Sequence, residues 1–257
     1  MVLDAQTLDA IREAAEIIKS SEYVTCLTGA GISVESGIRP FRGPGGLWTE
    51  KGEPSMDGYR RFLSNPEAYW IRRMETKSEF GISIHNSEPN NGHIALAELE
   101  KMRVLQYLIT QNIDNLHLAA GSKKVLEIHG NGRYLRCIDC HTKWHRDEFK
   151  VESIPPYCPH CGGVIKTDTV MFGEPIPSNV LNRCFEEAEK SDCMIVAGTS
   201  ATVTPAANLP LIVRRSGGNL VEVNIRESHI SNVCHVNIYA PSGEALPILV
   251  EEIKKLG

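Results

Sequence analysis

The stretch Tyr23-Val24-Thr25-Cys26-Leu27-Thr28-Gly29-Ala30-Gly31 decides the fold of this chain. Its apolar part has the length of a buried strand and leads directly into a glycine-rich turn, which is how doubly wound nucleotide-binding folds begin. Before it, apolar side chains within residues 4–19 recur at intervals of three and four, a period that predicts an amphipathic helix. We therefore expect residues 23–27 to form the first strand of a parallel sheet.

The alternation of helix and strand continues along the rest of the chain. Sequence patterns predict helices over residues 92–102, 179–190, 205–215 and 243–256, and strands at Val104–Thr110, Met194–Ala197 and Leu220–Asn224. Strands that alternate with helices imply a mostly parallel sheet with helices on both faces. The predicted fold class is α/β, a Rossmann-like doubly wound parallel sheet.

Two stretches interrupt this alternation. Residues 43–90 contain glycines, prolines and a helical segment at Pro66–Phe80, and residues 133–167 contain two cysteine pairs and several prolines. We predict that both belong to a smaller lobe. The Rossmann-like domain would then be discontinuous, with residues 1–45, 91–132 and 168–257, and the small lobe would combine a helical insertion at 46–90 with a zinc-ribbon module at 133–167.

The overall composition argues against several classes of protein. The 257 residues include 27 Lys and Arg against 32 Asp and Glu, a net charge of −5 that gives no electrostatic case for direct nucleic-acid binding. The 42% of apolar residues is typical of a globular protein. No apolar run approaches the roughly 20 residues that span a membrane, and Met1–Asp4 does not open a secretion signal. We expect a cytoplasmic protein without membrane contact.

Four of the eight cysteines form a predicted metal site. Cys137-x-x-Cys140 and Cys158-x-x-Cys161 are separated by 17 residues (141–157), a spacing typical of zinc ribbons. Four thiolates close the tetrahedral shell of zinc and leave no position for a water, which favours a structural ion over a catalytic one. Three nearby histidines are alternative ligands, although we expect them to be solvated: His141, His145 and His160.

The other four cysteines stand alone in apolar stretches, and we expect them to be core thiols in a reducing compartment: Cys26, Cys184, Cys193 and Cys234. A disulfide framework is typical of small secreted domains instead. The eight cysteines therefore divide by predicted role into metal ligands and packing residues.

Polar clusters follow several predicted strands. The turn Gly29–Ser33 is not a complete dinucleotide fingerprint, because Val34 takes the place of its third glycine, so by itself it fits either a phosphate site or a tight turn without a ligand. Thr110–His117, Gly198-Thr199-Ser200 and Asn224 follow three further strands. The carboxyl ends of parallel strands share one edge, so these clusters together suggest a long polar ligand such as a dinucleotide.

His129 ends the apolar run Val125–Ile128 and precedes Gly130. A side chain at that place can reach the cleft, and a near-neutral pKa suits an imidazole to general-base catalysis. A hydrogen-bonded structural histidine is the alternative interpretation.

In this order, the motifs closely resemble those of the sirtuin family of NAD-dependent protein deacylases, and the chain looks like its prokaryotic-type catalytic core. The resemblance covers about residues 20–250. It is carried by Gly29–Ser33 with Ser36-Gly37-Ile38 and Phe41-Arg42-Gly43; by Thr110–Asp114 with Leu116-His117 and Ala120-Gly121; by His129-Gly130 and the four paired cysteines; and by Phe172-Gly173-Glu174, Gly198-Thr199-Ser200 with Val203 and Pro205-Ala206, and Asn224.

The resemblance implies NAD as a consumed co-substrate and one structural zinc ion on the paired cysteines. It implies His129 as the general base, with Asn112 and Asp114 in the pocket that receives nicotinamide. An acyl-lysine peptide or protein would lie beside Phe172, Gly173 and Glu174. The implied cofactor-binding residues are Gly29, Ala30, Gly31, Ser33, Ile38, Phe41, Arg42, Gln111, Asn112, Ile113, Asp114, Gly198, Thr199, Ser200, Asn224 and Ala240.

The implied reaction removes acyl groups, with acetyl favoured, from protein lysine side chains and yields nicotinamide, O-acyl-ADP-ribose and free lysine. One alternative is desuccinylation or demalonylation, since Arg39 stands where the family usually has proline and Tyr69, Arg72 and Arg73 lie close to the family's acid-binding pair. That pair falls one helical turn later, however, so packed Tyr69 and Trp70 are the preferred interpretation. A mono-ADP-ribosyltransferase is a further candidate, and a non-enzymatic zinc-ribbon interaction module ranks last.

Overall fold

The computed structural model describes residues 3–75 and 86–257. Its strands are β1 (Val24–Thr28), β2 (Leu105–Thr110), β3 (Val125–Glu127), β4 (Gly130–Cys137), β5 (Lys143–His145), β6 (Ile165–Thr169), β7 (Cys193–Ala197), β8 (Asn219–Asn224) and β9 (Val236–Tyr239). Its α-helices are α1 (Ala5–Ser20), α2 (Leu47–Lys51), α3 (Gly58–Ser64), α4 (Pro66–Glu75), α5 (Asn91–Lys101), α6 (Leu116–Ala119), α7 (Ser178–Lys190), α8 (Leu209–Arg215) and α9 (Ser242–Lys255).

Six strands form a parallel sheet in the order β3-β2-β1-β7-β8-β9. The chain builds one side of this sheet outward from β1 through β2 and β3, and the other side through β7, β8 and β9. Such a reversal of strand order beside β1 is the topological switch point of doubly wound folds. The predicted fold class is confirmed by this order.

Each face of the sheet is covered by helices. Cys26 and Ile195 belong to the core beneath α1, α5 and α9, whereas their neighbours Leu27 and Val196 belong to the core beneath α7 and α8. All five residues of β1 are buried, as expected for a strand with helices on both sides. Cys26, Cys184 and Cys193 are buried and Cys234 is half-buried, so the unpaired thiols are packing residues.

Two helix predictions differ from the structure at their ends. The helix predicted over 205–215 begins at Leu209, after a short 3₁₀ turn at Ala206–Asn208. Pro210 lies in its first turn, where the missing N–H of proline leaves no hydrogen bond unmade. The segment predicted at Pro66–Phe80 is helical over Pro66–Glu75, and residues 76–80 lie outside the described ranges.

A second, antiparallel sheet has the order β5-β4-β6 and carries the cysteine pairs. Helix α4 packs on it, since Trp70 is 5% exposed and its indole Nε1 donates to the carbonyl of Ile165 at 2.8 Å. A small core joins Trp70 to Leu135 and Ile165. We retain the division into two lobes, with the predicted boundaries, as a proposal that this packing supports.

No helix within the described ranges combines the length and the hydropathy that crossing a bilayer requires.

Candidate functional site

A cavity of about 960 Å³ opens at the carboxyl edge of the parallel sheet. Its walls come from the turns that follow β1, β2, β7 and β8, because parallel strands bring their carboxyl ends to the same edge. Nearly all of the predicted cofactor residues line it: Gly29, Ala30, Gly31, Ser33, Ile38, Phe41, Arg42, Gln111, Asn112, Ile113, Asp114, Gly198, Thr199, Ser200 and Asn224. His129 and the segment Phe172–Glu174 line it as well.

Ala240 is the exception among the predicted cofactor residues. It is 3% exposed and packs in the core at the end of β9, and the described lining includes its neighbours Pro241 and Ser242 instead. The strand end approaches the cavity as expected. The side chain of Ala240, however, packs in the apolar layer, and its predicted role in cofactor binding stays a prediction.

The glycines after β1 and β7 allow the two turns to touch. The N–H of Gly31 donates to the carbonyl of Gly198 at 2.7 Å, and a Cβ on Gly31 would lie 2.7 Å from the same oxygen. Gly198 itself has a φ of +61°, in the left-handed region that favours glycine. The close packing of these two strand-end turns therefore requires glycine at both positions, whether or not a ligand binds there.

Three polar side chains form a fixed cluster at the inner end of the cavity. The amide of Asn112 donates to the carbonyl of Gly29 and to the hydroxyl of Ser33, both at 3.1 Å. Ser33 in turn donates to Asp114 Oδ2 at 2.7 Å. Burial raises the pKa of Asp114, while hydrogen bonds from Leu116 and Ser33 oppose that shift. The cluster presents fixed amide and carboxyl groups to a ligand.

Two histidines support this cluster from behind: His93, which the sequence analysis did not assign to the site, and His117, which ends the polar stretch Thr110–His117. The rings of His93 and His117 lie 4.8 Å apart, and His117 Nε2 is 2.9 Å from the Thr28 hydroxyl. Burial lowers the pKa of His93 to about 4 and that of His117 well below its ordinary value. Both rings are therefore neutral at neutral pH. His93 Nε2 lies 3.4 Å from the Ser33 hydroxyl. The contacts of these two histidines with Thr28 and Ser33 join residues that are distant in the chain, so no local sequence pattern indicates them.

His129 is held in one tautomer. Its Nδ1 lies 3.1 Å from the carbonyl oxygen of Gln111, which can only accept, so Nδ1 carries the proton and Nε2 keeps its lone pair. Burial lowers the pKa of His129, and the bond to Gln111 opposes that shift in part. The ring is thus neutral at neutral pH and has one nitrogen available to accept a proton.

The loop after Gly37 is braced by its own arginines. Arg42 forms a two-point ion pair with Glu53, with both N–O distances 2.9 Å, and its guanidinium lies 4.5 Å above the Trp48 ring. Arg39 donates to the carbonyl of Gly45 at 2.9 Å and pairs with Glu50. Arg39, the departure from the family pattern, thereby holds the loop and is not among the described lining residues.

Arg226 is a lining residue that the sequence analysis missed. It follows Asn224 by two positions, is exposed, and has no hydrogen bond or ion pair among the described residues. Its guanidinium lies over Gly43, where a Cβ would come within 1.8 Å of Nη2. The sequence did contain a signal for it, because a positively charged residue two positions after Asn224, the polar end of β8, can reach the same edge of the sheet. Because Arg42 is paired with Glu53, Arg226 gives this wall an uncommitted positive charge.

Tyr69, Arg72 and Arg73 are not brought to the cavity, as far as its described lining shows. The Tyr69 hydroxyl is 2.8 Å from the Thr167 hydroxyl, and its ring packs edge-on against Phe62. Arg72 is exposed on α4. Tyr69 thus joins α4 to the antiparallel sheet through Thr167 and to helix α3 through Phe62.

The cysteine pairs meet as the spacing predicts. The four Sγ atoms all lie within 4.8 Å of one another, with 3.5 Å between Cys137 and Cys161 and 3.6 Å between Cys140 and Cys158. A tetrahedron with zinc–sulfur bonds of about 2.3 Å has sulfur–sulfur distances of about 3.8 Å, so the four thiols fit one zinc ion. His141 lies against Arg136 and His160 stacks on Trp144 instead of joining the thiols.

Comparisons with known proteins give a consistent result. Residues 29–205 match the model of the Sir2 family. The chain is 42% identical over 253 residues to "NAD-dependent protein deacylase 2" of Archaeoglobus fulgidus, which covers 96% of this chain and 98% of that protein. It is 40% identical over 255 residues to "NAD-dependent protein deacetylase" of Caldivirga maquilingensis, covering 98% and 96%.

Solved structures are similar over the same length. A Sir2 homologue in complex with NAD superposes with a TM-score of 0.78 at 38% identity, covering 95% of this chain and 94% of that one. A structure described as Sir2 with p53 peptide and NAD+ superposes with a TM-score of 0.79 at 35% identity, covering 96% and 99%.

Proposed function

The chain belongs to the Sir2 family, and from that membership we infer that it removes acyl groups from protein lysine side chains and consumes NAD. One observation in this chain carries the inference furthest. His129, the Ser33–Asn112–Asp114 cluster and the strand-end turns all surround a single cavity. The protein is an NAD-dependent deacylase, and we assign NAD binding and catalysis to different residues of this cavity.

We propose that the cavity holds NAD along the carboxyl edge of the sheet. Asn112 and Asp114 would receive the nicotinamide carboxamide, since both are fixed by hydrogen bonds before a ligand enters. Thr199, Ser200 and Asn224 would hold the adenosine half, because hydroxyl and amide groups there suit ribose oxygens. Arg226 would meet a phosphate, which is the charge complement of a guanidinium.

We propose that His129 is the general base. When bound, NAD would supply an electrophilic ribose carbon, C1′, at which the acyl carbonyl oxygen forms a bond as the bond to nicotinamide breaks. The Nε2 lone pair of His129 then accepts a proton from a ribose hydroxyl, while Nδ1–H remains bonded to Gln111. A lowered pKa keeps the imidazole neutral and ready to accept this proton at neutral pH.

The four paired cysteines would hold one zinc ion with a structural role, because a shell of four thiolates is closed to water and substrate. An acyl-lysine peptide would lie along Phe172–Glu174 as an added strand between the two lobes. We also propose a cytoplasmic setting, since thiolate ligands persist in a reducing compartment.

We propose an acetyl group as the preferred acyl group. An acidic acyl chain needs a cation at its far end, and neither Arg72 nor Arg73 lies among the described lining residues. Tyr69 is committed to Thr167. The available cation Arg226 follows β8, two residues after Asn224, on the side that we assign to the adenosine half of NAD.

Turnover of matched peptides tests this function. Nicotinamide release is measured with acetyl-, propionyl- and succinyl-lysine peptides, with and without NAD. We expect acyl-dependent release that is fastest with acetyl, and a loss of about 10²- to 10⁴-fold in His129→Ala, the range of a removed general base. Arg72→Met is the matched control and should leave the acyl preference unchanged.

Two results would contradict the proposal. Succinyl turnover that exceeds acetyl turnover and falls in Arg72→Met would assign the acid-binding role to helix α4. Labelled ADP-ribose on protein without acyl-lysine turnover would instead indicate mono-ADP-ribosylation.

A further inference from the structure

Four charged side chains are buried together beneath the segment Met171–Glu174. Arg136 lies on β4, Lys166 and Asp168 lie on β6, and Glu174 ends the segment. Their side chains are between 0% and 4% exposed. Two positive and two negative charges balance, which is the condition under which buried ions are tolerated. Removal of one charge therefore leaves a buried ion without full compensation.

Both carboxylate oxygens of Glu174 are used inside the protein. Oε1 accepts from Arg136 Nη2 at 2.7 Å, and Oε2 accepts from Lys166 Nζ at 3.1 Å and from the N–H of Met171 at 2.9 Å. The N–H of Glu174 donates back to the carbonyl of Met171 at 3.0 Å. Glu174 thus closes the turn with its backbone and its side chain, although the sequence resemblance assigns it to substrate binding.

Arg136 ties this turn to the antiparallel sheet. Its Nε donates to Asp168 Oδ1 at 2.9 Å while Nη2 reaches Glu174, so one planar guanidinium spans β6 and the turn. Arg136 also directly precedes Cys137, one of the four clustered thiols. The orientation of the turn is therefore linked, through Arg136 on β4 and Lys166 on β6, to the sheet that carries the cysteine cluster.

The other side of the segment is held by the helical insertion. The N–H of Tyr59 donates to the carbonyl of Phe172 at 3.0 Å. Gly173 has a φ of +80°, and a Cβ there would lie 2.6 Å from the carbonyl oxygen of Met56. The segment is fixed on both sides, and its remaining face lines the cavity.

We propose that Glu174 is a positioning residue for the protein substrate. Held by Arg136 and Lys166, it sets the orientation in which Met171–Glu174 pairs with an extended acyl-lysine peptide. It does not contact the reacting atoms. The proposal rests on the proposed function, because it assumes that this segment receives the peptide.

The proposal separates two binding events. Peptide affinity should depend on the orientation of the segment, whereas ADP-ribose affinity should depend on the strand-end turns of the parallel sheet. A purely structural role for the charge cluster would change stability and leave the ratio of the two affinities unchanged.

Titration calorimetry with an acetyl-lysine peptide and, separately, with ADP-ribose tests this difference in the full-length protein. In Glu174→Gln we expect the peptide Kd to rise about tenfold, with ADP-ribose Kd within twofold of wild type and an unchanged zinc content. In turnover, the peptide KM should rise by a similar factor while kcat stays within about threefold.

Arg136→Lys is the second variant. It keeps the charge but cannot reach Asp168 and Glu174 at once, so it should weaken peptide binding in the same way. Lys143→Met is the matched control: Lys143 pairs with Asp168 at 2.7 Å, is 45% exposed, and does not contact Glu174. Its peptide Kd should equal that of wild type.

An unchanged peptide Kd in both Glu174→Gln and Arg136→Lys would overturn the proposal. So would an equal rise in the Kd of peptide and ADP-ribose, or the same loss in Lys143→Met. If Glu174→Gln does not fold, Arg136→Lys tests the proposal by itself: a ratio of peptide Kd to ADP-ribose Kd equal to that of wild type would overturn the proposal. Wild-type protein that binds the peptide but shows no NAD-dependent turnover would refute the proposed function and leave the positioning proposal standing.

Discussion

Single side chains in the cavity owe their chemistry to one or two neighbours. The carbonyl of Gln111 fixes the tautomer of His129, and Ser33 fixes the carboxylate of Asp114. Arg42 and Arg39 carry the same charge as Arg226 yet are neutralised by Glu53 and Glu50. Residue type alone therefore does not identify the cation that is free to meet a ligand.

Arg226 provides the prediction at this scale. Arg226→Met should raise the Kd for NAD by roughly threefold to tenfold, because an exposed charge contributes modestly to phosphate binding. The effect should shrink at high salt, and Arg226→Lys should retain most of the affinity. Isothermal titration at low and high ionic strength measures both. An effect equally large in Arg72→Met, or absent in Arg226→Met, would contradict the prediction.

Some secondary-structure elements have a clear hydrophobic period in the sequence and could be predicted from it, whereas others are too short to show one. The long amphipathic helices α1, α5 and α9 and the buried strands β1 and β7 were predicted close to their observed bounds. Strand β9 has four residues and β5 has three, which is too short for a hydrophobic period to emerge. Their pairing partners, not their own composition, place them in sheets.

The start of α5 carries a pH-dependent prediction. The folded-state pKa of His93 is about 4 because of burial, below its ordinary value of 6.5. Between pH 4 and pH 6.5 the unfolded chain binds more protons at His93 than the folded protein does. The contribution of the neutral, buried His93 to the free energy of unfolding is therefore fully present above pH 6.5 and is lost as the pH falls toward 4. The shift corresponds to at most about 3 kcal/mol.

His93→Gln tests this, since glutamine at the third helical position preserves the reciprocal cap that Asn90 and His93 now form. Urea unfolding between pH 7 and 4.5 should show a shallower loss of stability in His93→Gln than in wild type. His229→Gln, at an exposed histidine, is the control. Parallel pH curves for wild type and His93→Gln would refute the assignment.

At the scale of the whole molecule, the two sheets have different sources of stability. The parallel sheet is enclosed by two apolar layers. The antiparallel sheet has a much smaller core, in which Trp70, Leu135 and Ile165 adjoin two of the cysteines. Metal ligation thus contributes more to the second sheet than to the first.

Zinc removal should weaken acyl-peptide binding much more than ADP-ribose binding. After chelation we expect a lower thermal midpoint and a loss of acyl-peptide binding, because Arg136 and Glu174 lose their support. ADP-ribose binding should remain within a few-fold of its starting value. Differential scanning fluorimetry and calorimetry measure these changes, and added zinc should reverse them. Loss of ADP-ribose affinity in proportion to peptide affinity would show that the cofactor side also depends on the metal.

The agreement between sequence and structure has a simple pattern. The cysteine spacing predicted the thiol cluster, and the polar residues after successive strands predicted most of the cavity lining. Ala240 is buried and lies outside the described lining, so its predicted part in cofactor binding stays a prediction. His93 and the partners of Glu174 escaped notice because their contacts are with residues far away in the chain. Arg226 had a local signal, its place two residues after Asn224, that the sequence analysis did not use.

By itself, the sequence determined the helices, the buried strands, the metal ligands and the edge at which the ligand site forms. These follow from periods and spacings that operate between near neighbours along the chain. Only the tertiary structure decided which of the described cavity arginines is unpaired, which histidines are neutral, and that the Glu174 carboxylate is bound to Arg136 and Lys166. Charge state and hydrogen-bond partners depend on burial and on distances of a few ångströms between remote residues.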